Sequence, residues 1–200
     1  MSNPKNTSPR GYLSWSQINL WEKDPNLYYQ VYCEGLDQFR TKYLELGKKL
    51  ATALENGKSD DGDPMLELMI VLLPSYPSKE FDIKESFEGI PLVGKLDGFN
   101  EKKLVIGEYK SGKKWTQKMA DNTGQLTMYA LLVWLKYKKL PKDILLHWAR
   151  TDEDMEGNLF LTGETKTFQT KRSLGEIILF SKRIKTAWEA VCAIGKFAKE

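Results

Sequence analysis

At 200 residues, 41% hydrophobic and 28% charged, the chain has the size and composition of one folded domain with a proper core, which argues against a disordered or fibrous polypeptide. Its formal charge of +3, from 30 Lys and Arg against 27 Asp and Glu, is too small to establish a nucleic-acid partner by its sum alone. Two cysteines, Cys33 and Cys192, without Cys-x-x-Cys spacing argue against a disulfide framework or a closed zinc site.

No apolar run is long enough to span a bilayer, and the N-terminus lacks the apolar segment of a signal peptide. The expectation is a cytoplasmic protein of a bacterial, archaeal or virus-infected cell. Residues 1–11 are polar and rich in turn formers and read as a flexible tail, with a single domain over 12–200. Ser14-Trp-Ser-Gln17 has the spacing of a capping box for a first helix carrying Ile18 and Trp21. Asp24-Pro25 ends it or opens another, along which Tyr28, Tyr29 and Tyr32 read as packing aromatics.

After a polar connection over 34–41, residues 42–55 predict an amphipathic helix through Tyr43, Leu46, Leu50 and Leu54. The loop over 56–64 carries Asp60, Asp61 and Asp63 without the spacing of a calcium loop, and reads as a solvated turn. Residues 65–73 predict a short buried helix stopped by Pro74 and Pro77. Residues 79–87 alternate as a strand with Phe81, Ile83, Glu85 and Phe87 on one face, turned back at Glu88-Gly89.

The stretch from Gly94 to Lys110 reads as two strands joined by a polar turn over 100–103. The first bears Asp97. The second opens on the apolar run Leu104-Val105-Ile106, typical of a strand buried on both sides, then admits Glu108 and Lys110 on one face. Two carboxylates at one point repel each other and favour a hard cation, magnesium or manganese. A lysine beside them can orient a water or offset charge on a phosphate oxygen. The plainer alternative is an ordinary Glu–Lys pair at a hairpin end.

Ser111 to Trp115 is a basic loop, and Lys113, Lys114 and Trp115 are placed to meet a phosphate backbone or stack on a base. A helix over 118–138 follows, its stripe formed by Leu126, Ala130, Val133 and Tyr137, with Gln125 and Tyr129 on one face. After Pro141, residues 143–150 predict a strand reached by a crossover, in which His147 reads as packing. An acidic turn over 152–158 leads to a strand over 159–170. The last helix, 174–197, has Ile177, Ile178, Phe180, Ile184, Trp188 and Val191 on its apolar side and Lys182, Arg183, Lys185 and Lys196 on its basic one.

Asp97, then Glu108-Tyr109-Lys110, then Gln125-x-x-x-Tyr129 resembles the core of the PD-(D/E)xK nucleases, and more narrowly their RecB-like exonuclease branch, over roughly residues 12 to 150. The resemblance implies an α/β, restriction-endonuclease-like fold: a mixed sheet of about five strands flanked by helices. It implies metal-dependent hydrolysis of DNA, with an exonuclease role in recombination, repair or phage replication. Asp97 and Glu108 would hold magnesium or manganese with the backbone carbonyl of Tyr109, Lys110 would act on the water, and Gln125 and Tyr129 would organise the site. The branch places a metal-site histidine four residues after a glycine; Gly47 matches, but Ala51 stands at the histidine position, and Glu55 one turn on is the candidate substitute. Asp24 stands where iron–sulfur members carry a cysteine, so no cluster is expected. The alternative is a non-catalytic nucleic-acid-binding module on the same fold.

Overall fold

Five strands form one mixed sheet in the computed structural model, which describes residues 8–37 and 41–197, with side chains described only as far as Gly195 at the C-terminal end. They are β1 (Ser78–Phe87), β2 (Ile90–Asn100), β3 (Val105–Gly112), β4 (Asp143–Glu153) and β5 (Leu159–Thr170), and they lie in that order across the sheet. Only the β3–β4 pair is parallel; the others are antiparallel. A parallel neighbour demands a crossover. Helices α5 (Gln117–Asn122) and α6 (Gly124–Tyr137) supply it. The remaining helices are α1 (Trp15–Lys23), α2 (Pro25–Tyr32), α3 (Lys42–Asn56), α4 (Pro64–Leu72) and α7 (Leu174–Phe197).

Burial divides these into three layers. One face of the sheet packs Ile83, Leu92, Leu96, Ile106, Ile144 and Leu146 against α1, α2, α6 and α7 in the larger core. The other carries a smaller cluster, in which Leu50, Ala53 and Leu54 of α3 meet Leu66, Met69 and Leu73 over Ala149 and Leu161. Among the described residues no helix is long and apolar enough to cross a membrane.

Several local expectations change on inspection. Residues 1–7 of the expected tail, residues 38–40 and the side chain of Lys196 lie outside the described residues. Ser8 to Gly11 forms a turn in which Ser8 is buried and accepts from the Gly11 N–H. At Ser14 the capping box does not form: Gln17 is buried, its amide donates to the Ser14 hydroxyl, and its carbonyl oxygen accepts from Tyr28. Asp24 caps α2 through the Leu27 N–H, a structural use of the aspartate. Helix α4 buries only one edge, leaving Leu68, Leu72 and an 80% exposed Val71 on its outer side. On α7, Ile178 is 55% exposed while Ala187 takes a place in the core.

The single helix expected over 118–138 is two, broken at an extended Thr123. The break brings Gly124 under Trp15, so closely that any Cβ there would collide with the indole ring. Arg172, which the sequence did not single out, holds this break from below. It is buried, and its guanidinium donates to the carbonyls of Ala120, Thr123 and Lys171 and to the hydroxyls of Thr127 and Thr170. Helix α6 is accordingly buried nearly all round rather than along one stripe.

On the opposite face His147 is buried between Tyr76 and Thr167, each 2.8 Å from one ring nitrogen. Burial depresses its pKa from 6.5 to about 4, so the neutral ring is the folded form. The unfolded chain then binds the extra proton first, and stability present above pH 6.5 drains away as pH falls towards 4. The full effect is about 3 kcal/mol from the relation between pKa shift and free energy. The stability advantage of the parent over His147→Gln should therefore shrink by about that amount between pH 7 and pH 4 in urea titrations. A gap that stays constant with pH would show that His147 accepts its proton without loss.

Candidate active site

The acids meet where the sheet stops being regular. Strand β2 pairs with β3 through Asn100↔Val105, Phe99↔Ile106 and Gly98↔Gly107, and there the backbone ladder ends. At the next step the Asp97 carboxylate, not a main-chain carbonyl, takes the Tyr109 N–H at 2.9 Å. Glycine at 98 and 107 is a steric requirement: a Cβ at either position would collide with the Tyr76 ring, which lies across both. Across from Asp97 in β1, Glu80 has φ +49°, a left-handed conformation that costs a glutamate energy. The kink has a visible result. Phe81 packs on Phe99 in the larger core, whereas Lys79, two residues earlier, donates to the Leu54 and Glu55 carbonyls of α3.

Glu108 follows Gly107 on β3 and is buried, with 1% of its side chain exposed. Neither of its carboxylate oxygens has a hydrogen-bond partner among the described residues. The Lys110 ammonium stands 2.5 Å from Oε1. Burial pushes the Glu108 pKa up to about 8; Lys110 pulls it down, but Asp97 raises it again. Asp97 is also raised, by burial against the opposing pull of the Tyr109 N–H and Lys110. For Lys110 burial works against the charge, yet Glu108 and then Asp97 outweigh it and hold the ammonium above its ordinary pKa. The two acids share too little positive charge to be fully ionised by themselves.

Two carboxylates at one point, one of them buried, with a single lysine between them, fit a bound hard cation. The residues that could hold one are Asp97 and Glu108, with the Tyr109 carbonyl beside them on β3. Among the described residues no third His, Cys, Asp or Glu completes a metal-holding group with these two. Glu55 is exposed on the rim of a small crevice that Asp97, Ala51, Glu80 and Tyr109 also line, so the expected substitute ligand stands at the edge rather than in the cluster. Ala51 lines both that crevice and the cleft over the acids.

The cleft over the acids, about 300 Å³, lies between α3 and β3 and opens onto Asp97, Glu108, Lys110 and Gln125. Gln125 and Tyr129 act together: the Gln125 amide donates to the Tyr129 hydroxyl at 2.9 Å, and that hydroxyl donates to the Lys95 carbonyl at 2.7 Å. Burial, then Glu108, raises the tyrosine pKa far enough to keep it a donor. Helix α6 thus braces β2 two residues before Asp97.

Lys113, Lys114 and Trp115 of the basic loop lie outside the lining of the cleft. Lys113 is 2.8 Å from Glu153, and Trp115 is half-buried against the larger core. Lys114 is exposed, outside the lining of the cleft. The sequence reading missed Glu80, which ion-pairs with Lys95 beside the acids. Nothing local marks it; only the register of β1 on β2 puts it opposite Asp97.

No protein-family model matches the chain, and no curated protein sequence matches it. Solved structures do. It aligns with a candidate exonuclease from Eubacterium rectale at 11% identity and a TM-score of 0.64, over 100% of this chain and 89% of that one. An alkaline exonuclease from Laribacter hongkongensis aligns at 10% identity and a TM-score of 0.51, over 94% of this chain and 91% of that one. For a phage-related exonuclease from Haemophilus somnus the identity is 13% and the TM-score 0.50, over 90% and 81%. At these identities the likeness shows the fold: an α/β architecture with a five-stranded mixed sheet flanked by helices, shared with structures of exonucleases.

Proposed function

We propose that the chain is a nuclease that hydrolyses DNA phosphodiester bonds with the aid of magnesium or manganese, of the RecB-like kind that its Asp97, Glu108-Tyr109-Lys110 and Gln125-x-x-x-Tyr129 resemble. The observation that carries this is the Asp97–Glu108 pair, with Glu108 buried and Lys110 its close neighbour, at the floor of an open cleft. Asp97, Glu108 and the Tyr109 carbonyl would hold the ion, which when bound supplies Lewis-acid chemistry at the phosphate. Lys110, 30% exposed, reaches from Glu108 into the cleft. Its ammonium orients the attacking water and faces the charge that develops on the phosphate oxygens. Gln125 and Tyr129 position β2, and so Asp97, through the Lys95 carbonyl.

The fold shared with exonucleases supports action at DNA ends, in recombination, repair or phage replication. A non-catalytic DNA-binding module is the second reading, and one observation favours it: among the described residues no third His, Cys, Asp or Glu joins the two acids, and Ala51 lines the cleft beside them.

Cleavage of end-labelled linear and circular DNA, with magnesium, manganese or chelator, separates these readings. Asp97→Ala should lose both manganese binding and cleavage. Lys110→Ala should keep manganese binding while single-turnover cleavage falls by about two to four orders of magnitude. Parent-like cleavage by Lys110→Ala would reduce the lysine to a partner of Glu108, and binding without cleavage by the parent would establish the module.

A second outcome follows from Glu108, whose pKa of about 8 leaves it protonated in the ion-free protein at neutral pH. The ion must displace that proton. Manganese affinity measured by calorimetry should rise about tenfold per pH unit between pH 6 and 7.5, with about one proton released. A flat profile would mean that both acids are already ionised.

A further inference from the structure

Helix α3 forms the wall of the cleft opposite β3, and it presents Tyr43 and Lys48 to the same space as Glu108 and Lys110. Lys48 is exposed, and among the described residues it forms no ion pair, whereas its neighbour Lys49 stands 3.6 Å from Asp61. Lys113, across the mouth, is already engaged by Glu153. Of the two, Lys48 is the cation free to meet a phosphate in the cleft. Tyr43 is 43% exposed at the mouth of the cleft, with Lys113 near its hydroxyl. Lys42 fixes the same turn of α3 by donating to the Gly157 carbonyl at 2.7 Å.

The depth of the acids limits what can reach them. Glu108 lies beneath the surface, and α3 stands opposite it across the cleft, with Gly47 and Ser111 both in the lining. A cleft of about 300 Å³ has the scale of a small-molecule site. A duplex is wide and stiff, whereas a single strand can bend to carry one phosphate to the floor of so small a cleft. We infer that α3 is the surface along which a single DNA strand runs, Lys48 contacting a phosphate next to the one cleaved and Tyr43 stacking on a base. This rests on the nuclease reading, and it assigns strand contact to α3 rather than to the Lys113–Trp115 loop. A phosphate contact supplies affinity without sequence preference, and an aromatic face accepts any base, so the strand would be held regardless of sequence.

The test is fluorescence anisotropy with a fluorescein-labelled 20-nucleotide oligo-dT and a blunt DNA hairpin, in chelator so that nothing is cleaved, across a salt series. Lys48→Gln should weaken oligo-dT binding several-fold and make the salt dependence shallower by about 0.7 in slope, the loss of one single-strand phosphate contact. Tyr43→Ala should weaken binding about tenfold with the slope unchanged, and Tyr43→Phe should restore it. Lys182→Gln, on α7 away from the cleft, controls for loss of charge. Parent binding and cleavage with an unaltered Lys48→Gln slope would overturn the inference and leave the nuclease reading standing. A hairpin bound as tightly as oligo-dT by the parent would overturn the single-strand assignment. A parent that binds no DNA would remove both.

Discussion

The hydrogen bond from the Tyr109 N–H to the Asp97 carboxylate fixes where the two acids meet. It sits one step beyond the last backbone pair of β2 and β3, so a charged side chain continues a ladder that the main chain has left. A backbone N–H given to a carboxylate is a stronger bond than the neutral one it replaces. The neighbouring structure serves that exchange. Tyr76 covers the two glycines at the end of the ladder, Tyr129 holds the Lys95 carbonyl, and Glu80 takes a left-handed conformation so that β1 can follow the kink. Shifting β2 by one residue would send Asp97 to the other face and Leu96 out of the core.

Glu108 is the costly part of the arrangement. A carboxylate with 1% exposure and no directed hydrogen bond destabilises the ion-free protein or keeps a proton, and its raised pKa says it keeps one. Such a residue in the middle of a packed sheet, flanked in register by Leu146 of β4, does nothing for folding. Its cost is offset by the larger core that surrounds it, to which α6 contributes buried side chains on almost every side. Stability surrendered at one position and recovered elsewhere is what the proposed role of Glu108 at an ion site would require.

What the sequence made legible was periodic or contiguous. The alternation of β1, the spacing of Glu108 and Lys110, the four-residue step from Gln125 to Tyr129 and the crossover after Lys110 all survive in the structure, because each depends on the local geometry of one element. Features set by another element were not legible. Gly124 breaks a helix because Trp15, more than a hundred residues earlier, occupies the space above it. Leu104 continues an apolar run but turns with φ +50°, since the hairpin over 101–104 needs that conformation there. Ile178 matches the apolar period of α7 yet points outward, and Arg172 is charged yet buried. Glu80 reads as one more surface acid until its strand partner is known.

The two walls of the cleft are held by forces of different kinds. Its floor belongs to β3 and α6, fixed by the large core and by hydrogen bonds inside the protein. Its other wall, α3, rests on a smaller apolar cluster, and its first turns are tied down at the surface by the contacts Lys42 makes with Gly157 and Lys113 makes with Tyr43 and Glu153. Exposed contacts of that sort contribute at most about 1 kcal/mol each and weaken in salt. The acids therefore stay in place while the α3 side can yield at little cost. Under the proposed nuclease function, which would admit a flexible polyanion, hold one phosphate against fixed carboxylates and then release it, rigidity at the floor and compliance at the wall suit the task.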